Sequence, residues 1–316
     1  MAVAQSPRFL MCPPRHFAVT YSINPWMDPE EWSRRSHSLA QTTEVEWSSL
    51  KSLLQQSGAV VDLMVPASGV PDLVFTANSA VVLDGKALLA RFRHPERRLE
   101  EPHYAAAFDA LVERNILKSR VSLPADIVLE GAGDCIWDRE RGLFWVGFGP
   151  RSSEQAAMVI DETFGLPTVS LELVDARFYH LDTAFSVLDE GEIMYFKGAF
   201  SPSSLQVLHD RVESRDRIEV SEEDACSMRL NGIQIGRTLI LSSCSRQLRH
   251  RLTDRGYSVS VTPLSSFLLG GGSAYCLTLR TDLTSDNRSL APDIRNSFDR
   301  QAGVDELKYR AHKEAH

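Results

Sequence analysis

The sequence predicts an α/β chain made of about five strand–strand–helix–strand units that close into a ring or propeller. Three observations predict it. Hairpin patterns recur at a spacing of ~50 residues, which is the signature of a repeat architecture. Helix-like segments with one apolar face separate the hairpins. Each of those segments is followed by a short β-like stretch such as Ser258–Thr262. The alternative is an ordinary α/β sheet whose hairpins look alike by chance.

In chain order, residues 73–92 hold two apolar runs flanking Asp84-Gly85, a strong two-residue hairpin signal. Residues 127–148 repeat the pattern around a polar turn, Asp138–Gly142, and residues 178–200 repeat it around Asp189-Glu190-Gly191-Glu192. A weaker copy runs from Cys226 to Ser242, turning at Gly236-Arg237. Residues 8–23 and 274–280 supply the two halves of a fifth unit, joined across the chain ends. Between these lie the expected helices Glu100–Arg114, Ser152–Phe164 and Pro202–Glu213. The polar stretch after Thr281 reads as an appendage, helical from about Asp293. The expected domains are therefore 1–281 and 282–316.

Bulk composition narrows the function. The chain has 316 residues, 43% of them hydrophobic, enough for a large core. A formal charge of −8 argues against nucleic acid, whose phosphates demand a basic footprint. No apolar run approaches the ~20 residues needed to span a bilayer, and Met1–Pro14 lacks the pattern of a signal peptide. Five scattered cysteines with no C-x-x-C pair fit reduced thiols in a cytoplasmic protein.

Three short pieces place chemically capable residues beside apolar stretches: Glu130-Gly-Ala-Gly-Asp134, His180-Leu-Asp182, and the glycine-rich run Gly270–Cys276. Buried carboxylates, imidazoles and thiols cost several kcal/mol, of the order of ~3, unless they pair with each other or with a ligand. Repetition in register points to one central site, where Asn78, Glu130, Asp134, His180, Asp182, Asn231 and Cys276 meet near the starts of equivalent strands. A thiol beside a histidine has the parts of a nucleophile–base pair. Carboxylates around a thiol raise its pKa, so a cationic substrate is needed to favour the thiolate. A planar guanidinium matches such carboxylates in bidentate pairs. Taken singly, each piece has a plainer reading: a buried small hydrophobe for Cys276, a core histidine for His180, a glycine turn for 130–134.

At these residues the chain resembles the guanidine-modifying enzyme superfamily, or penteins, which includes arginine deiminases, dimethylarginine dimethylaminohydrolases and amidinotransferases. The resemblance runs from about Arg8 to Thr281 and implies a five-bladed ββαβ propeller with pseudo-fivefold symmetry. It implies Cys276 as nucleophile, His180 as general acid/base, and Glu130 and Asp182 as guanidinium holders, with Glu130 assisting proton movement. Asp134 is grouped with the substrate contacts.

Two further segments resemble arginine dihydrolases of the cyanobacterial type, which release ornithine, carbon dioxide and two ammonia molecules. These are Phe75-Thr-Ala-Asn78, where deiminases end in an acidic residue, and Phe9–Pro14 with Tyr21–Met27. The resemblance implies Asn24 and Asn78 as substrate contacts and Arg97, with Arg91 as second candidate, on the substrate α-carboxylate. Ala274-Tyr275 departs from the arginine that deiminases usually carry before the cysteine. The favoured expectation is an arginine dihydrolase without metal or organic cofactor, acting on a small guanidino substrate; a homo-oligomer is left open. The alternatives are deiminase or dimethylargininase chemistry giving citrulline, amidino transfer, and a non-catalytic propeller scaffold.

Overall fold

Asp84 and Gly85 both adopt positive φ (54° and 79°), the backbone of a primed hairpin turn. They join the strands Ala80–Leu83 and Lys86–Leu89 into the first expected hairpin, with Ala80 opposite Leu89. All but Lys86 of those eight residues are buried, because both faces of the sheet are covered. The helix Glu101–Glu113 then returns the chain so that Ser119–Val121 pairs parallel to Lys86–Leu89.

In this computed structural model residues 6–285 are described, except Asp189. Among them the same order recurs four more times, giving five three-stranded sheets in which the central strand is antiparallel to one neighbour and parallel to the other. The second sheet is Cys135–Asp138, Leu143–Phe148 and Thr168–Glu172, with helix Ala156–Phe164. The third is Phe185–Val187, Ile193–Tyr195 and Arg217–Glu219, with helix Pro202–Arg211. Its hairpin turn contains Asp189, outside the described residues. The fourth is Ile233–Ile235, Thr238–Leu241 and Ser258–Val261, with helix Arg246–Thr253. In the fifth, Leu279–Arg280 pairs antiparallel to Arg8–Met11, which pairs parallel to Val60–Leu63, so both ends of the described chain share one sheet.

Three features differ from the sequence expectation. Leu73–Ser79 reads as strand but forms two short 3₁₀ turns, Pro71–Val74 and Thr76–Ser79. Ser79 Oγ donates to Thr76 O at 2.6 Å, a local bond that competes with ladder pairing. The fifth unit's helix, Pro29–Gln56, is absent from the pattern reading although its signals are present. Asp28 caps the Glu31 N–H at 2.8 Å, and Trp32, Leu39, Thr43, Trp47, Leu50 and Leu54 make one buried stripe. Finally, among the described residues one compact unit extends to Thr284. Within the expected extension 282–316, Asp282 accepts from the Arg8 N–H and Leu283 O accepts from the Asp84 N–H, both at 2.9 Å. The expected helix from about Asp293 lies outside the described residues.

Candidate active site

Each leading strand is entered through a tight turn, and the polar residues sit on those turns rather than on the strands. Asn78 lies in Thr76–Ser79, ahead of Ala80. Glu130 and Asp134 flank the turn Gly131–Gly133, ahead of Cys135. His180 precedes the one-turn helix Leu181–Ala184, which carries Asp182 and leads into Phe185. The turns pack tightly. Gly131 has φ 60°, and a Cβ there would lie 2.6 Å from the Asn78 carbonyl carbon. At Gly133 a Cβ would lie 2.2 Å from Asn78 Nδ2 and 3.4 Å from His180 Nδ1, so glycine lets these two side chains close on the same spot.

Glu130 and His180 form a buried pair, Oε2 to Nε2 at 2.7 Å. Glu130 Oε2 also accepts from Arg151 Nη1 at 2.9 Å, and Oε1 accepts from the Arg93 N–H at 3.1 Å. Burial pushes the Glu130 carboxyl up, but Arg151 and His180 together hold it well below the usual carboxylate range. An ionised carboxylate only accepts, so His180 Nε2 carries a hydrogen and Nδ1 is left for proton exchange. Asp134 does not present a free oxygen for substrate, contrary to expectation. Its Oδ2 accepts from Ser152 Oγ at 2.6 Å and its Oδ1 from the Leu181 N–H at 3.0 Å, which ties the His180 turn to the Glu130 turn. Burial raises its pKa to about 6.

The thiol has its own pair of partners. Cys276 Sγ donates to Asp182 Oδ2 at 3.3 Å and accepts from Asn231 Nδ2 at 3.1 Å. Burial, then Asp182, pushes the thiol well above its ordinary pKa. Burial also raises Asp182 to about 7, opposed by its bonds to Cys276 and Asn231. Asp182 Oδ1 is buried with no hydrogen-bond partner. Such an orphaned acceptor costs about 1–3 kcal/mol until a donor reaches it.

Cys276, Asn78, Asn24, Asp72, Arg97 and Arg151 line one small cavity. Asn24 accepts from the Trp26 N–H at 2.9 Å and donates to Gly270 O at 3.4 Å. Arg97 is buried, forked onto both oxygens of Glu100 at 2.8 Å, and donates to Asn78 Oδ1 at 2.9 Å. Arg91, the second candidate, is not brought to the site. Its backbone bridges Leu129, which sends its guanidinium onto the carbonyls of Ala125 and Leu123.

Sequence reading missed two participants, Arg151 and Asp72. Arg151 reaches Glu130 and the Ile23 carbonyl (3.0 Å) from a loop that reads as ordinary polar surface. Asp72 accepts from Tyr21 Oη at 2.8 Å, while its Oδ1 is a second orphaned buried acceptor. Asn231, expected near the site but given no role, does reach Cys276. No local pattern marks Arg151 or Asp72; Pro71-Asp72 looks like a turn. Among the described residues no cluster of three or more His, Cys, Asp or Glu side chains has the arrangement to hold a metal ion, and no helix is long and apolar enough to cross a membrane.

Five three-stranded sheets of one strand order carry two buried pairs, Cys276 with Asp182 and Glu130 with His180, in an α/β fold. Residues 15–282 match the family described as N,N dimethylarginine dimethylhydrolase, eukaryotic. A dimethylarginine dimethylaminohydrolase of Mycobacterium tuberculosis is 38% identical over 275 residues, covering 86% of this chain and 85% of that protein. The bifunctional arginine dihydrolase/ornithine cyclodeaminase ArgZ of Synechocystis is 41% identical over 293 residues, 92% of this chain. The chain spans only 39% of that bifunctional relative. The crystal structure of the ArgZ N-terminal domain bound to substrate superposes with a TM-score of 0.81 at 38% identity, covering 89% of this chain and all of that one. The chain therefore belongs to the dimethylarginine dimethylaminohydrolase family.

Proposed function

We propose that this chain hydrolyses the guanidino group of L-arginine, or a close N-substituted analogue, through a covalent Cys276 adduct, with ornithine as the favoured product. The carrying observation is Asp182: a buried carboxylate with one oxygen on the nucleophilic thiol and the other unpartnered. A guanidinium N–H fills that acceptor and offsets the charge that keeps the thiol protonated. His180 takes the thiol proton at Nδ1, and the Cys276 thiolate attacks the guanidinium carbon, forming a C–S bond as the C=N π pair moves onto nitrogen. His180 gives a proton to the departing nitrogen, which leaves as ammonia, and then takes one from the water that cleaves the C–S bond. Glu130, anionic beside Arg151, holds the imidazole through both steps.

A second cycle on the ureido carbon yields ornithine, carbon dioxide and a second ammonia, consuming two waters in all. Asn78 supports this outcome. Its Oδ1 is fixed by Arg97, so Nδ2 faces the site with only a long 3.5 Å contact to Glu130 O and can donate to a neutral ureido oxygen. In the same cavity Arg97 would take the substrate carboxylate, and Asp72 with Asn24 its ammonium. The same reading takes the five sheets as blades of a pseudo-fivefold ββαβ propeller, supported by their shared strand order and by the sheet made from both chain ends. Five free cysteines support a cytoplasmic setting.

The second reading, hydrolysis of dimethylarginine to citrulline, is favoured by the family match and by the mycobacterial relative. Incubation of the protein with arginine and with dimethylarginine, with products identified by mass spectrometry, separates the two. Ornithine from arginine supports the first reading, and citrulline with dimethylamine the second. Turnover of neither substrate by folded protein removes both.

A further inference from the structure

Asn231 is fully buried, and both ends of its side-chain amide contact Cys276. Its Oδ1 accepts from the Cys276 backbone N–H at 3.2 Å, and its Nδ2 lies 3.1 Å from Cys276 Sγ and 3.2 Å from the Asp182 carbonyl. Its own carbonyl accepts from the Tyr275 N–H at 3.2 Å. The amide cannot be reversed. A backbone N–H can only donate and a carbonyl can only accept, so the oxygen must face Cys276 N and the NH2 must face Asp182 O and the sulfur. The turn that presents it is itself anchored: Met228 is left-handed (φ 51°), and Arg229 is held by Asp224 at 2.6 Å and Ser243 at 3.1 Å.

A neutral thiol is a weak acceptor, whereas a thiolate is a strong one. We propose that Asn231 is a positioning residue that fixes the Cys276 side chain and selectively stabilises its thiolate through the Nδ2–H to Sγ hydrogen bond. Asn231 touches the nucleophile and not the substrate, and its effect is on the protonation and aim of the sulfur. The other titratable or charged groups around that sulfur are Asp182, Tyr179 and Tyr275, with Asp72, Arg97 and Arg151 along the cavity. Asp182 opposes the thiolate until a cation arrives, while Asn231 favours it at all times. The role rests on Cys276 being the nucleophile.

The test is the pH dependence of Cys276 alkylation by iodoacetamide, read by peptide mass spectrometry on the full chain. Asn231→Leu should raise the midpoint by about one pH unit, a ~10-fold slower reaction at any pH below it. Asn231→Asp, which replaces the donor with a charge, should raise it further. A merely structural role lowers melting temperature or overall rate and leaves the midpoint in place. In the unaltered protein with ¹⁵N-labelled asparagine, the Asn231 NH2 signals should shift with the same midpoint, a readout that does not depend on the variants folding. Unmoved midpoints in folded variants, or Asn231 signals indifferent to thiol ionisation, overturn the proposal. Neither readout requires arginine turnover, so loss of the proposed hydrolysis and loss of this role are separately visible.

Discussion

The runs Glu130–Cys135 and Gly270–Cys276 are both glycine-rich, both lead toward the first strand of a sheet, and both end on a buried cysteine. Burial raises both thiols well above their ordinary pKa. The surroundings differ. Cys135 belongs to an apolar cluster with Val81, Leu83, Leu88, Leu129 and Phe144, whereas Cys276 has a donor at Asn231 and an acceptor at Asp182. In the first run the polar contacts belong to the two acids, and its cysteine is packing. In the second the acids are absent and the cysteine is addressed by polar side chains from two other units. Equivalent places in a repeat therefore differ in hydrogen-bond partners and not in burial, and that difference singles out Cys276 as the proposed nucleophile.

The comparison breaks most sharply at the two thiols. Cys276→Ser should lower turnover at least ~1,000-fold while leaving the melting temperature within a few degrees. Activity near that of the unaltered protein, by product mass spectrometry, removes the covalent route. On the first run, Glu130→Gln leaves Arg151 buried beside a neutral partner. It should cost about 3–5 kcal/mol in denaturant unfolding and slow turnover ~100-fold through the unmoored His180. Loss of activity without loss of stability would mean the Arg151 pair is not structural.

Asn78→Asp sharpens the division between one hydrolysis and two. It keeps an acceptor for Arg97 but loses the donor, so the ratio of ornithine to citrulline should fall. An unchanged ratio removes Asn78 from the second step. The acids also separate by pH. Asp182 and Asp134, raised by burial to about 7 and about 6, bind protons in the folded state that the unfolded chain has already released. Their contribution to stability therefore falls as pH rises from about 4 toward about 7. Glu130 is depressed and acts in the opposite sense: its contribution is present above its unfolded pKa of about 4.5 and is lost as pH falls. A cationic ligand stabilises ionised Asp182, so arginine should raise the melting temperature of Cys276→Ser more at pH ~8 than at pH ~5.5. Equal shifts would detach Asp182 from the guanidinium. The smallest effect belongs to Cys135→Ala: about 1 kcal/mol of stability, with turnover within about threefold.

The repeat was legible because hairpin turns and amphipathic faces are local. Asp84-Gly85 and Gly236-Arg237 turn where their residues indicate, and Glu101–Glu113 and Pro202–Arg211 fall within two residues of the expected ends. Leu73–Ser79 was misread because apolar spacing does not register a side-chain hydroxyl that satisfies the backbone locally. Arg97 stands ahead of Arg91 only by resemblance, since the four arginines at 91, 93, 97 and 98 carry no directional signal of their own. Only the bridge from Arg91 to Leu129 sends one outward, while the fork onto Glu100 holds the other at the cavity.

Alone, the sequence determined the unit, its approximate number, and the residue types able to act on a cation, because each depends on periodicity or on side-chain chemistry. Tertiary structure decided which of them meet. Asn231 reaches Cys276 across 45 residues, Asp182 across 94, and Arg151 reaches Glu130 across 21. Those pairings depend on how separate turns close on one another. A buried donor or acceptor takes whichever partner that closure brings within about 3 Å, a choice that no local pattern encodes.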